Sequence, residues 1–331
     1  MIVRKHRAIV AAFPTLFIAL AASLGACSSD DTSISPRPDP DAGQRPDSND
    51  PRPDAGKDAT PPGDAGSPHV LSSDPTEGAT DVYPVEIYDN GGKFAQRKRI
   101  TVRFDAAMDT TVTRATLISG GADAGAPRTI EGVWAPDARS IELTVFGPVP
   151  DRDPPLEPRT AYRLDLRALR AASGRPLDAS GPPLGDGVLD FKTGDVDGNL
   201  NHACFHAIFD APTKVTATPS ASGAPNADKG HKIYEVSLPP AREGFTRIPA
   251  PSPGASAPVG YTFYLDRAVP VAIQDEATAQ PVPLTFNGPK PPACAGITHA
   301  VRFTIDGAHD HNVKLGPLGD PSFKFILELE R

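Results

Sequence analysis

Proline occupies 39 and glycine 29 of the 331 positions, so a residue that breaks helices or turns the chain falls about every five residues. Proline removes a backbone donor and clashes with the preceding turn, which leaves no room for a bundle of long helices. Between the breakers lie short runs in which large apolar residues alternate with polar ones. Ile100, Val102 and Phe104 form one; Ile141, Leu143 and Val145, then Tyr162, Leu164 and Leu166, then Leu189 and Phe191 follow. The pattern resumes further on at Tyr234, Val236 and Leu238, at Tyr261, Phe263 and Leu265, at Val269, Val271 and Ile273, at Val301, Phe303 and Ile305, and at Phe323, Phe325, Leu327 and Leu329. A period of two puts one set of side chains on one face of a strand. Clusters such as Asp89-Asn90-Gly91-Gly92 and Ser119-Gly120 supply the positive-φ turns between them. The expected fold is all-β, with two antiparallel β-sandwich domains in tandem after a disordered linker, and with Trp134 as a core aromatic of the first.

The N-terminus reads as an address. Arg4, Lys5, His6 and Arg7 precede a largely apolar segment from Ala8 to Ala26, the pattern of a secretory signal. A membrane-spanning reading of the same segment is opposed by Pro14, which interrupts it. The segment ends in Leu24-Gly25-Ala26-Cys27, which resembles the bacterial lipobox. That resemblance implies cleavage after residue 26, a diacylglyceryl group on Cys27 and anchorage to a membrane; Ser28 in place of an aspartate implies sorting to the outer membrane. Residues 27–68 then form a tract with Ile34 as the one large apolar side chain, repeating Asp-Ala-Gly at Asp41, Asp54 and Asp64. Such a tract buries nothing, and it is expected to be a disordered stalk reaching roughly 35 to 120 Å. The net charge of -8 and pI near 5.5 offer no positive field, so nucleic acid is excluded as a partner.

Residues 69–194 resemble a known module. Asp74-Pro75-Thr76-Glu77-Gly78-Ala79-Thr80-Asp81-Val82, Ile100-Thr101-Val102-Arg103-Phe104-Asp105, Tyr162-Arg163-Leu164-Asp165-Leu166 and Phe191-Lys192-Thr193-Gly194 are similar, in order and spacing, to the bacterial Ig-like module of the surface-layer (SbsA) type. The resemblance implies a spacer or adhesive role and carries no catalytic residues. Two departures, around Asp89 to Arg99 and Asp151 to Pro158, are expected to be loops. Residues 195–331, a sandwich or jelly roll, resemble no named family; Asp195-Val196-Asp197-Gly198-Asn199 is a poor match to a calcium loop, with Leu200 where the loop wants glycine, and is read as an Asp/Gly hinge between domains.

With Cys27 lipidated, Cys204 and Cys294 remain, an even number in an oxidising compartment, and they are expected to pair. Six of the eight histidines follow residue 195. His202 with His206, and His309 with His311, place two imidazoles on one face if those segments are extended, and His231 and His299 are candidates to join them. Converging imidazoles suit copper or zinc. No nucleophile elbow, phosphate loop or HExxH motif is present, and no catalytic residue is assigned. Two functions stand at this point. One is a lipid-anchored envelope protein that displays a structural or adhesion-type module to an unidentified partner. The other is a periplasmic or surface metal-binding protein using the C-terminal histidines.

Overall fold

The computed structural model describes residues 66–120, 125–252 and 257–330. The signal segment, Cys27 and the linker expected over 27–68 lie outside the described residues, apart from 66–68. Among the described residues no helix is long and apolar enough to cross a membrane.

The chain is all-β, as its period-two pattern requires, and the alternating runs become strands. Between residues 70 and 193 the strands hydrogen-bond along one path that begins with Val70–Asp74, Phe94–Phe104 and Ser140–Phe146. It continues through Arg128–Trp134, Arg114–Ser119, Ala161–Asp165, Val188–Thr193 and Ala79–Val82. Side chains from both halves of that path meet in one core: Ile100, Val102, Ile141 and Leu143 against Leu117, Leu164, Leu189 and Phe191. Trp134 packs on its edge, 5.7 Å from the Phe104 ring, and its Nε1–H donates to the Val112 carbonyl at 2.9 Å.

One of the two expected loops is instead a hairpin. Glu86–Asp89 pairs antiparallel with the first half of Phe94–Phe104, and Asn90, Gly91 and Gly92 turn between them. Ala95 and Lys98 are buried, so the strand continues through residues that read as insertion. The segment around Asp151 to Pro158 is made of turns, closed over the core by Leu156.

Beyond residue 212 two sheets face each other. A six-stranded sheet runs in the order Thr213–Thr216, Lys232–Ser237, Ser322–Leu329, Pro258–Leu265, His299–Asp306, Leu284–Pro289. A four-stranded sheet runs Gly244–Ile248, His311–Leu315, Val271–Asp275, Pro281–Val282. Phe263, Phe303, Phe323 and Phe325 fill the space between them with Ile273, Val313 and Leu315.

The departure that matters is a helix, Gly198–Phe209, where the sequence reads as a hinge followed by an extended segment. Asp197 caps it: its carboxylate accepts the Leu200 N–H at 3.0 Å, as N-cap aspartates do. Residues 199–210 contain neither glycine nor proline, so nothing interrupts the helix until Pro212 is near. The same cap answers the calcium reading. Asp197 is spent on the helix N-terminus and on the Lys290 ammonium at 3.0 Å, and Asp195 pairs with Arg159. Burial pushes the Asp197 carboxyl up, but the Leu200 N–H and Lys290 outweigh it and hold the group below the usual carboxylate range.

The helix lies on the outer face of the six-stranded sheet. Leu200, Ala203 and Cys204 join Ile233, Tyr264, Ala300 and Ile326 from that face, Tyr83, Val85 and Ile87 from the first part of the chain, and Ala293, Cys294 and Ile297. The expected disulfide is present in this cluster, joining Cys204 to Cys294 across 90 residues of sequence. Ile326 is at its centre, opposite Ile233 on one neighbouring strand and Tyr264 on the other. Replacing Ile326 by alanine is expected to cost about 2 to 5 kcal/mol in urea unfolding, because the helix, the sheet and the Tyr83–Ile87 segment cannot all collapse into the space.

Candidate metal centre

Strand alternation decides what lies beneath the helix. In Ser322–Leu329 the side chains of Phe323, Phe325 and Leu327 point into the sandwich, so Ile326 and Glu328 project from the opposite face. Without the helix that face would be wet. With it, Glu328 is fully buried. A carboxylate taken out of water needs compensating partners, and the chain supplies imidazoles.

His202 and His206 sit one helical turn apart and so share the face turned to this strand; their rings are 4.6 Å apart. The expected juxtaposition therefore holds, through helical rather than extended geometry. His231 comes from the residue before Lys232–Ser237. Its backbone N–H donates to the Leu327 carbonyl at 2.8 Å, which places it beside Glu328. It adopts φ 61°, a left-handed conformation that costs a residue with a Cβ on the order of 1 kcal/mol. His202, His206, His231 and Glu328 each offer a donor atom, and the four atoms lie within 4.8 Å of one another.

The inner distances are tighter. His231 Nδ1 is 2.7 Å from Glu328 Oε2, His202 Nδ1 is 3.2 Å from the same oxygen, and the two Nδ1 atoms are 3.1 Å apart. Ligand bonds of about 2.0 to 2.1 Å in a tetrahedral site imply donor separations of about 3.3 Å. These three atoms are already close to the spacing that a single ion imposes. His206 completes the set differently. Its Nδ1 is 2.6 Å from Asp210 Oδ2, one turn further along the helix. A carboxylate accepts from N–H, so the ring's lone pair is left on Nε2. That atom is buried and has no hydrogen-bond partner among the described residues. A histidine with one ring nitrogen fixed by a carboxylate and the other free is the usual form of a metal ligand. A cleft of about 430 Å³ lined by Gly198, Asn199, His202 and His231 opens beside the group and gives an ion a way in.

The other predicted ligands go elsewhere. His309 and His311 belong to the end of the four-stranded sheet, around Asp275: His309 Nδ1 is 2.7 Å from Asp275 Oδ2 and His311 Nε2 is 3.8 Å from it. They are not in the group that converges with His202 and His206; the candidates that meet there are His202, His206 and His231, with Glu328. His299 Nδ1 is occupied by the Thr298 hydroxyl at 2.9 Å. Glu328 and Asp210 had escaped the sequence reading. Glu328 is a lone acid on the unfilled side of an apolar strand, a signal that acquires meaning only once something is known to cover that side. Asp210 follows His206 at helical spacing, but the segment reads as extended.

Asp275 shows what these groups do without an ion. Burial raises its carboxyl, but the His309 ring and the Thr278 and Ala277 N–H groups prevail and hold it at about 2. The same hydrogen bond raises His309, whereas burial lowers His311. Asp275 therefore contributes stability that is present above the unfolded carboxyl value of about 4 and lost as the pH falls through about 2. His309 contributes stability that is present below about 6.5 and lost as the pH rises through its raised value; His311, held neutral, contributes above about 6.5 and loses it in acid. In Asp275→Asn, the His309 titration followed by NMR is expected to move down, and the loss of stability between about pH 4 and pH 2 to become shallower.

No protein-family model matches the chain, and no curated protein is significantly similar to it.

Proposed function

We propose that this chain is an exported metal-binding protein, held to the bacterial outer membrane through Cys27 and an acidic stalk, whose C-terminal β-sandwich takes up one zinc or copper ion. The observation that carries the reading is the buried, unpartnered Nε2 of His206 beside two imidazoles and a fully buried carboxylate. Three nitrogens and one oxygen form a donor set of borderline softness, which favours zinc or Cu(II) over calcium or magnesium. Both C-terminal sulfurs are engaged in the disulfide, so no thiolate is at hand and a blue-copper centre is not the form this site takes. Zinc is the first choice, because four protein donors at this spacing suit a tetrahedral ion without geometric preference of its own.

Glu328 supplies a buried carboxylate oxygen to the ion, and Asp210 fixes the tautomer and orientation of the His206 ring. The leader, the lipobox-like Cys27 and the stalk support placement in the envelope, and the SbsA-like segment serves as the spacer that lifts the metal-bearing head from the membrane. In this reading the displayed module binds an ion, and an adhesive role is not required.

Elemental analysis of purified protein is expected to find one zinc or copper per chain, and His206→Ala to abolish it while His309→Ala with His311→Ala leaves it intact. Asp210→Asn is expected to weaken affinity about 10- to 100-fold, the usual cost of losing a partner behind the ligand. Stability supplies a second readout: at a free metal concentration 100 times the dissociation constant, unfolding is expected to require about 2.7 kcal/mol more. Absence of bound metal from the wild-type protein, together with no shift in unfolding on its addition, would overturn the reading.

A further inference from the structure

Two of the four donors, His231 and Glu328, belong to the sheet, and two, His202 and His206, belong to the helix. Affinity at such a site depends on how firmly the helix is held at one distance from the sheet. With about 3.6 residues per turn, His202 and His206 share one face and Cys204 points away from it, into the cluster with Tyr83, Val85 and Ile87. Cys204 is joined there to Cys294. The segment that carries Cys294 also carries Lys290, whose ammonium holds the N-cap Asp197 at 3.0 Å. That segment is itself fixed: the Ala293 carbonyl accepts the Ile87 N–H at 2.7 Å, and the Lys290 N–H donates to the Thr298 carbonyl at 2.8 Å. One anchored stretch thus grips the helix at its start and at its back. A helix of 12 residues has little stability of its own.

We propose that formation of the Cys204–Cys294 disulfide is the step that assembles the metal centre, so that the protein acquires high affinity for its ion after oxidation and not before. This rests on the metal-binding reading above. The oxidation is a thiol–disulfide exchange with an oxidised dithiol carrier. One cysteine thiolate attacks the carrier's disulfide and the second displaces the carrier from the mixed disulfide. Cys204 and Cys294 thereby lose two electrons and two protons, and the carrier leaves as a dithiol. Before that step His231 and Glu328 have their places in the sheet, while the helical half of the site is free to move away. Afterwards both sulfurs are sequestered in the apolar cluster, and the four donors are held at ligand spacing.

The test compares the oxidised wild-type protein with Cys204→Ser/Cys294→Ser, which removes the bond and also any thiolate that would bind zinc by itself. Zinc affinity is measured by competition with a chromophoric chelator, and the fold is checked by far-UV circular dichroism. The expected result is a folded variant whose zinc dissociation constant rises about 10- to 100-fold, the range seen when the support behind ligands is lost. Equal affinity in the folded variant would overturn the proposal and leave the metal site standing. If the serine pair does not fold, Cys204→Ala/Cys294→Val keeps the pocket apolar and is judged by the same two outcomes. No zinc or copper binding by the oxidised wild-type protein would overturn this proposal together with the metal-binding reading.

Discussion

A strand that is apolar on one face and carries Ile326 and Glu328 on the other sets the problem that the rest of this structure answers. Ile326 asks for cover and Glu328 resists it, because a carboxylate out of water is costly unless partners of opposite or complementary character surround it. The helix Gly198–Phe209 meets both demands with two of its faces. Leu200, Ala203 and Cys204 close over the apolar part, and His202 and His206 reach the carboxylate. Charge and packing are thereby coupled. Whatever fills the polar end also holds the lid, and whatever holds the lid sets the geometry of the polar end.

The lid is attached more strongly than its length would allow by itself. The disulfide closes a loop of 90 residues, for which chain entropy alone gives about 4 to 5 kcal/mol before strain is subtracted. Asp197 sits in a network of its own, with Lys290, the Leu200 N–H and the Tyr264 hydroxyl on its carboxylate and the Tyr83 hydroxyl on its carbonyl. Burial, reinforced by the Asp197 charge, pushes both tyrosine hydroxyls far above their ordinary values, so they remain protonated donors at any physiological pH. The helix N-terminus is thus the meeting point of the chain before residue 195 and the chain after it.

The contrast between the two histidine groups shows how little residue type decides. His309 and His311 have a carboxylate beside them, as His202 and His231 do. Around Asp275, however, that carboxylate is already satisfied by a histidine and two backbone N–H groups, and His311, whose own Nδ1 is buried without a partner among the described residues, stands off at 3.8 Å. Around Glu328 the donors crowd one another, two ring nitrogens stand 3.1 Å apart, and a third is left without a partner. An unpartnered ring nitrogen occurs in both groups, so what sets the Glu328 group apart is that four donor atoms converge there within 4.8 Å.

Much of the architecture could be read from the chain because it follows from local rules. Period-two alternation names the strands around Ile100, Ile141, Tyr261, Val301 and Phe323, and the even count of cysteines after residue 27 names the Cys204–Cys294 pair. The density of histidines beyond residue 195 marks the region where chemistry is concentrated. The helix was hidden, since a hydrogen-bonded cap at Asp197 and a turn-rich Asp-Gly-Asn stretch look alike as letters, and the Phe94–Arg99 strand was hidden because its pairing partner, Glu86–Asp89, is itself short. By itself, then, the sequence determined the fold class, the covalent cross-link and the imidazoles available to the site. Tertiary structure alone decided which histidines meet and that Glu328 is the carboxylate they meet. Strand alternation says which face a side chain takes, but only packing between distant segments says whether water or a helix lies on that face.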